Sequence, residues 1–171
     1  QGDVGWTATG LWHLSDGSTC AVPGYASPTH AFYYGQEGSC NYDTLSSNCG
    51  TLTSPAITGI DADSTLTFDY YRIVEYSVLA GFDKTEVEVL TASGVTKVFS
   101  LDSATPSNGA WTSSGPLSLS VFAGQAIRIR FVFETGDQLN NGFTGWFIDD
   151  VRVTGTSVCE PNDAPQVNIT S

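Results

Sequence analysis

Two adjacent carboxylates sit in an otherwise apolar run, Gly145-Trp146-Phe147-Ile148-Asp149-Asp150-Val151-Arg152-Val153, and are the best-placed groups in the chain for chemistry. Read as a strand, the run splits into two faces, because side chains alternate with a period of two. Phe147, Asp149, Val151 and Val153 share one face; Trp146, Ile148, Asp150 and Arg152 share the other. If Val151 and Val153 point into a core, Asp149 points the same way. A carboxylate there must be hydrogen-bonded, paired or bound to a metal, since a bare buried charge costs several kcal/mol or is protonated. Pairing with Arg152 or Arg72 is the plain alternative to a metal.

Further oxygen donors lie in two loops. Glu37, Asn41 and Asp43 belong to a long polar stretch from 36 to 50 that also holds Cys40 and Cys49, and Asp137, Asn140 and Asn141 precede Trp146. Carboxylates, amides and loop carbonyls are the ligands calcium takes, six to eight at a time. Hydrolytic chemistry has weaker support. His13 and His30 are the only histidines, and neither an H-E-x-x-H nor a G-x-S-x-G motif is present. Glu86 and Glu88 stand two apart on one strand face, roughly 7 Å, which a glycosidase could use. Opposite Arg128 and Arg130, they read better as a cross-strand charge lattice. As a ligand surface, a polar face could present Asp69, Tyr71, Glu86, Glu88, Arg128 and Arg130. Tyr25, Tyr76, Trp111 and Phe143 in loops could stack on sugar rings, whereas Trp6, Trp12 and Trp146 are expected to pack in a core.

The elements that must position these groups are strands. Ser64 to Val74 alternates with Leu66, Phe68 and Tyr70 on one side and Thr67, Asp69 and Tyr71 on the other; Thr85 to Thr91 places Val87 and Val89 inside. Gln125 to Glu134 sets Ile127, Ile129, Phe131 and Phe133 against Arg128 and Arg130. Ala31 to Gly35, Thr51 to Ile57, Val95 to Leu101 and Pro116 to Phe122 are shorter strands, and residues 5 to 14 an edge segment. With 18 glycines and only one weak helical stretch, near Val74 to Leu79, the pattern gives an all-β, antiparallel sandwich or jelly roll.

Composition narrows the partners. The 171 residues suit one domain with a full core. Six Lys plus Arg against 18 Asp plus Glu leave a net charge of −12. Nucleic acid and anionic membranes are thereby excluded as expected partners, and divalent cations favoured. No apolar window is long enough to span a membrane, and no signal segment opens the chain, which reads as a mature or excised piece. Cys20, Cys40, Cys49 and Cys159 form an even set without C-x-x-C spacing, so two disulfides in an oxidising compartment are expected. Glu160-Pro161-Asn162-Asp163-Ala164-Pro165 has linker composition. The domain is therefore expected to occupy 1–156, with 157–171 a linker and the start of a following module.

Several motifs in series, Gly5-Trp6, Gly10-Leu11-Trp12-His13, Ser27-Pro28-Thr29-His30-Ala31-Phe32-Tyr33-Tyr34-Gly35, Cys40-Asn41-Tyr42-Asp43-Thr44, Gly50-Thr51-Leu52-Thr53-Ser54-Pro55 and Gly145 to Val151, resemble the MAM-like jelly-roll domains of the choice-of-anchor J type in secreted bacterial proteins. The closing residues from Ala164 resemble the start of an Ig-like repeat. The resemblance implies a secreted, non-catalytic accessory domain, monomeric in isolation, that binds or positions a polysaccharide or protein substrate for a neighbouring peptidase or glycoside hydrolase. A protein-to-protein adhesion or anchoring module is the alternative, which predicts an exposed apolar patch; a small hydrolase is a third. The resemblance also supports a structural Ca2+ ion with Asp149, Asp43 and Asp137 as ligands, and the loop donors Glu37 and Asn141 complete the expected set. It further implies disulfides Cys20–Cys40 and Cys49–Cys159. Cys40–Cys49 with Cys20–Cys159 stays open.

Overall fold

The computed structural model describes residues 4–20, 26 and 30–155. Tyr25, Cys159 and the tail 156–171, with its expected linker and following module, lie outside the described residues.

Two antiparallel sheets face each other. One runs β1 (Thr7–Ala8), β4 (Cys49–Thr53), β10 (Arg128–Glu134), β6 (Lys84–Thr91), β7 (Gly94–Leu101). The other runs β2 (Trp12–Ser15), β3 (Ala31–Tyr34), β11 (Gly145–Thr154), β5 (Thr65–Ile73), β8 (Thr112–Ser113), and β9 (Leu117–Ser118) also pairs with β5. The chain is an antiparallel β-sandwich, as its alternating pattern predicts. Leu52, Val87, Val89, Ile129, Phe131 and Phe133 of the first sheet meet Trp12, Phe32, Tyr34, Leu66, Phe68, Trp146 and Ile148 of the second in one continuous core. The two layers hold together by removing these side chains from water, at roughly 25 cal/mol per Å² of apolar surface.

The main departure from the expected pattern lies in β11. Trp146 and Ile148 enter the core, and Phe147 packs in a separate cluster on the outer face. Asp149 pairs with Asp69 and Arg152 with Thr67, so Asp150 and Val151 together stand where one residue would, opposite Phe68. This is a β-bulge, and Asp150 makes it with a φ of +49°. The extra residue inverts the alternation: Val151 and Val153 pack against the core, while Asp149 keeps the phase of Phe147 on the outer face. Asp149 and Val151 therefore do not share a face.

Three smaller differences follow. The expected strand from Pro116 to Phe122 is only Leu117–Ser118 followed by a 3-10 turn, Ser120–Phe122. Three residues per turn puts Leu119 and Phe122 on one side, and both are buried in the core. The stretch Val74 to Leu79 is loop, and the two-residue β8 was not anticipated. Gly145 opens β11 at φ +104°, where a Cβ would come within 2.3 Å of the Tyr34 carbonyl oxygen, so only glycine fits.

Candidate functional site

The expected polar ligand face divides between the two sheets. Glu86, Glu88, Arg128 and Arg130 lie on the outer face of β6 and β10, whereas Asp69 and Tyr71 lie on β5, across the sandwich. Arg130 Nη2 pairs with Glu88 Oε2 at 2.6 Å, and Lys97 Nζ with Glu86 Oε1 at 2.5 Å. Arg128 Nη1 donates to the Ser54 carbonyl at 2.9 Å. The cross-strand lattice expected for these residues is present, with Lys97 in place of Arg128 as the partner of Glu86. Its charges are already engaged with each other.

The outer face of the second sheet is mostly covered. Tyr33 and Phe147 stack with centroids 4.0 Å apart, and Tyr71 meets Phe147 edge-on at 6.2 Å and Trp111 at 6.1 Å. The disulfide Cys20–Cys40, with Cα atoms 5.3 Å apart, clamps the segment after β2 onto the loop after β3, and Cys20 is buried against this aromatic group. That bridge excludes the alternative pairing through Cys40–Cys49. Cys49 is exposed, and its expected partner lies outside the described residues. His13 packs against Tyr33; its Nδ1 faces the Leu11 carbonyl at 2.9 Å and its Nε2 faces Glu37 Oε1 at 3.1 Å. With both ring nitrogens taken, His13 has none left to activate a nucleophile.

One end of the sandwich is different. Tyr34 and Cys49, Ile73 and Lys84, and Glu134 and Gly145 are the strand ends joined there, and the loops between them, 35–48, 74–83 and 135–144, pass from sheet to sheet. They are knitted together with the segment after β7. Thr135 N–H donates to the Asn48 carbonyl at 3.1 Å, Asp83 N–H to the Thr135 carbonyl at 3.2 Å, and Ser77 N–H to the Ser103 carbonyl at 2.9 Å. Under them lies a buried polar anchor. The Arg72 guanidinium donates to the Thr105, Asp102 and Asp83 carbonyls at 3.0, 2.7 and 3.4 Å. The Tyr42 hydroxyl donates to Asp83 Oδ2, which also accepts the Glu75 N–H at 3.1 Å. Burial raises the Asp83 carboxyl to about 6, against the lowering effect of these donors and of Arg72. Burial likewise lowers Arg72 and raises Tyr42.

Above this anchor the loops carry Leu45, Tyr76, Val78, Leu79, Leu139 and Phe143, six of the nine exposed large hydrophobic side chains among the described residues. Tyr76 and Phe143 were anticipated as loop aromatics. The leucines and the anchor were not, although Asp43-x-Leu45, Ser77-x-Leu79 and Asp137-x-Leu139 repeat one short pattern that sequence reading could have registered.

The expected calcium ligands are spread out. Asp137 and Asn141 come together in one loop, where Asn141 Nδ2 donates to the Asp137 carbonyl at 3.3 Å. Asp43 caps the turn at Leu45, Glu37 holds His13, and Asp149 sits on the outer face of β11. Among the described residues no three His, Cys, Asp or Glu side chains converge as an ion would require. Asp149 and Asp69 are cross-strand neighbours on the outer face, and Asp149 is fully buried with its Oδ1 accepting the Asp150 N–H at 2.7 Å; two carboxylates alone fall short of the six to eight oxygens calcium takes.

No protein-family model matches the chain, and no curated protein sequence matches it. Solved structures do. The K2 cleaved adhesin domain of Lys-gingipain superposes with a TM-score of 0.56 at 14% identity, covering 89% of this chain and 91% of that one. The carbohydrate-binding module TmCBM61, solved with β-1,4-galactotriose, gives 0.54 at 15% identity over 89% and 92%. The K1 adhesin domain of Lys-gingipain from Porphyromonas gingivalis W83 gives 0.52 at 16% over 90% and 92%. The structural neighbours of this chain are thus β-sandwich domains of the carbohydrate-binding-module and adhesin kind.

Proposed function

We propose that the chain is a non-catalytic extracellular domain, of the MAM-like choice-of-anchor J type, that binds or positions a polysaccharide or protein for a neighbouring module, and that it does so through its loop end. The observation that carries this reading is the gathering of exposed apolar side chains on loops that are fixed from below by Arg72 and Asp83. Contact surfaces are built this way, with recognition on loops and rigidity in the scaffold. Both sheet faces offer less, one being self-paired in charge and the other covered by Trp111 and the Cys20–Cys40 disulfide. The disulfide suits an oxidising, extracellular setting, and no helix among the described residues is long and apolar enough to cross a membrane. The neighbours' adhesin and sugar-binding names agree with a binding role. A structural Ca2+ ion belongs to the same proposal, held through Asp149, the fully buried carboxylate of the expected ligand set.

The test is affinity electrophoresis through gels containing soluble galactan, β-glucan or xylan, alongside pull-down on immobilised extracellular matrix proteins. Retention that falls at least about tenfold in Tyr76→Ala with Phe143→Ala, and survives Glu88→Gln with Arg130→Gln, supports the loop end. The reverse pattern returns the site to the sheet face.

The adhesion reading has one observation of its own: the exposed side chains at this end are mainly aliphatic.

A further inference from the structure

Three loops at this end present a leucine by the same device. Asp43 Oδ1 accepts the Leu45 N–H at 2.7 Å, Ser77 Oγ accepts the Leu79 N–H at 3.1 Å, and Asp137 Oδ1 accepts the Leu139 N–H at 2.8 Å. The leucines are 86%, 67% and 60% exposed. Scattered surface leucines need no explanation, but these three stand on mutually hydrogen-bonded loops, and the exposed Val78 precedes Leu79. Each turn is held by a side chain before any partner arrives, which lowers the ordering cost of docking.

Charge identifies the occupant. All six Lys and Arg residues of the chain are accounted for: Lys84, Lys97, Arg130 and Arg152 pair with Glu134, Glu86, Glu88 and Asp150, and Arg72 and Arg128 donate to carbonyls. Around the leucines stand Asp43, Asp102 and Asp137, all only partly buried. A second copy of the chain, itself at −12, and an anionic lipid surface are both repelled. Sugars gain most from flat aromatic faces, whereas aliphatic tips gain from entering an apolar pocket. We propose that the leucine-bearing loop end docks into an apolar pocket rimmed by basic side chains on a protein partner. This rests on the loop-end reading above and names its partner class.

The experiment records methyl NMR spectra of the full chain during titration with two amphipathic 14-residue peptides that share a leucine face. One carries lysine on its polar face and the other glutamate. The lysine peptide is expected to shift the Leu45, Leu79 and Leu139 methyls saturably, to weaken with added salt, and to lose at least about tenfold in affinity in Leu45→Ser/Leu79→Ser/Leu139→Ser. Because these side chains are exposed, the variant is expected to keep its thermal midpoint; if it does not fold, Leu45→Ser alone serves. Equal binding of the glutamate peptide, no methyl shift with either peptide, or undiminished binding by the variant overturns the proposal. Shifts of the same methyls by neutral galactan or phosphatidylcholine vesicles, and not by the lysine peptide, also overturn it but leave the loop-end reading standing. Ligand shifts confined to β6 and β10 overturn both.

Discussion

Asp149 and Val151 stand two residues apart on one strand and face opposite sides of their sheet. The bulge at Asp150 lets a buried carboxylate and two core valines follow each other without putting the carboxylate in the core. Asp tolerates the left-handed backbone at φ +49° better than most residues, and a β-branched one does not. Asp150→Gly is therefore expected to fall within about 0.5 kcal/mol of the parent, and Asp150→Val to cost roughly 2 kcal/mol, in urea unfolding. Equal stability of the two variants would remove the bulge as the reason for an aspartate here.

Asp83 makes stability depend on pH. Its folded value of about 6 lies above the ordinary 3.8, so the folded state holds the proton more tightly than the unfolded one. The sign follows: this contribution is full below pH 4 and is lost as pH rises through about 6, amounting to on the order of 3 kcal/mol. Asp83→Asn keeps an acceptor for Tyr42 and cannot ionise. Unfolding free energies measured from pH 4 to 8 should show that decline in the parent and not in the variant; parallel profiles would contradict the assignment.

Arg72 is buried and holds three carbonyls, so its removal leaves acceptors unpaired beneath the loop end. Arg72→Leu is expected to cost about 3–5 kcal/mol, with amide exchange accelerating first in 74–83 and 102–107. Uniform acceleration across both sheets would mean that Arg72 does not act on the loops in particular.

The Cys20–Cys40 bridge closes a separation of 20 residues, which in the chain-entropy model contributes about 3 kcal/mol. Cys20→Ser/Cys40→Ser should lose roughly that much in equilibrium unfolding. A loss below about 1 kcal/mol would show that packing around Cys20 and Cys40 suffices without the bridge.

The proposed calcium ion would act through mass action, binding the folded state alone. Excess chelator is then expected to lower the thermal midpoint by several degrees, calcium to restore it, and Asp149→Asn to abolish the response. A midpoint indifferent to chelator removes calcium and leaves Asp149 as a hydrogen-bonded acid.

The sandwich was legible because a period of two survives in β5, β6 and β10, where each strand has one face in the core. It failed in β11 because a bulge changes phase without changing composition: Asp149-Asp150 looks like any polar pair until pairing with Asp69 and Thr67 shows the extra residue. The candidate ligand face divided for a related reason. Alternation says which residues share a face within a strand, but not which sheet each strand joins, and Tyr71 and Glu86 fell on different ones. Leu45, Leu79 and Leu139 are not marked out because leucine in a loop is ordinarily read as buried, and only the fold brings their three loops together by hydrogen bonds at one end.

The most direct measurement is an amide chemical-shift map of the whole chain at saturation with whichever polysaccharide or peptide it retains most strongly. Shifts concentrated in 42–48, 76–82 and 136–143 are the predicted result. Shifts concentrated on the outer faces of β6, β7 and β10, with those loops unmoved, would contradict the account.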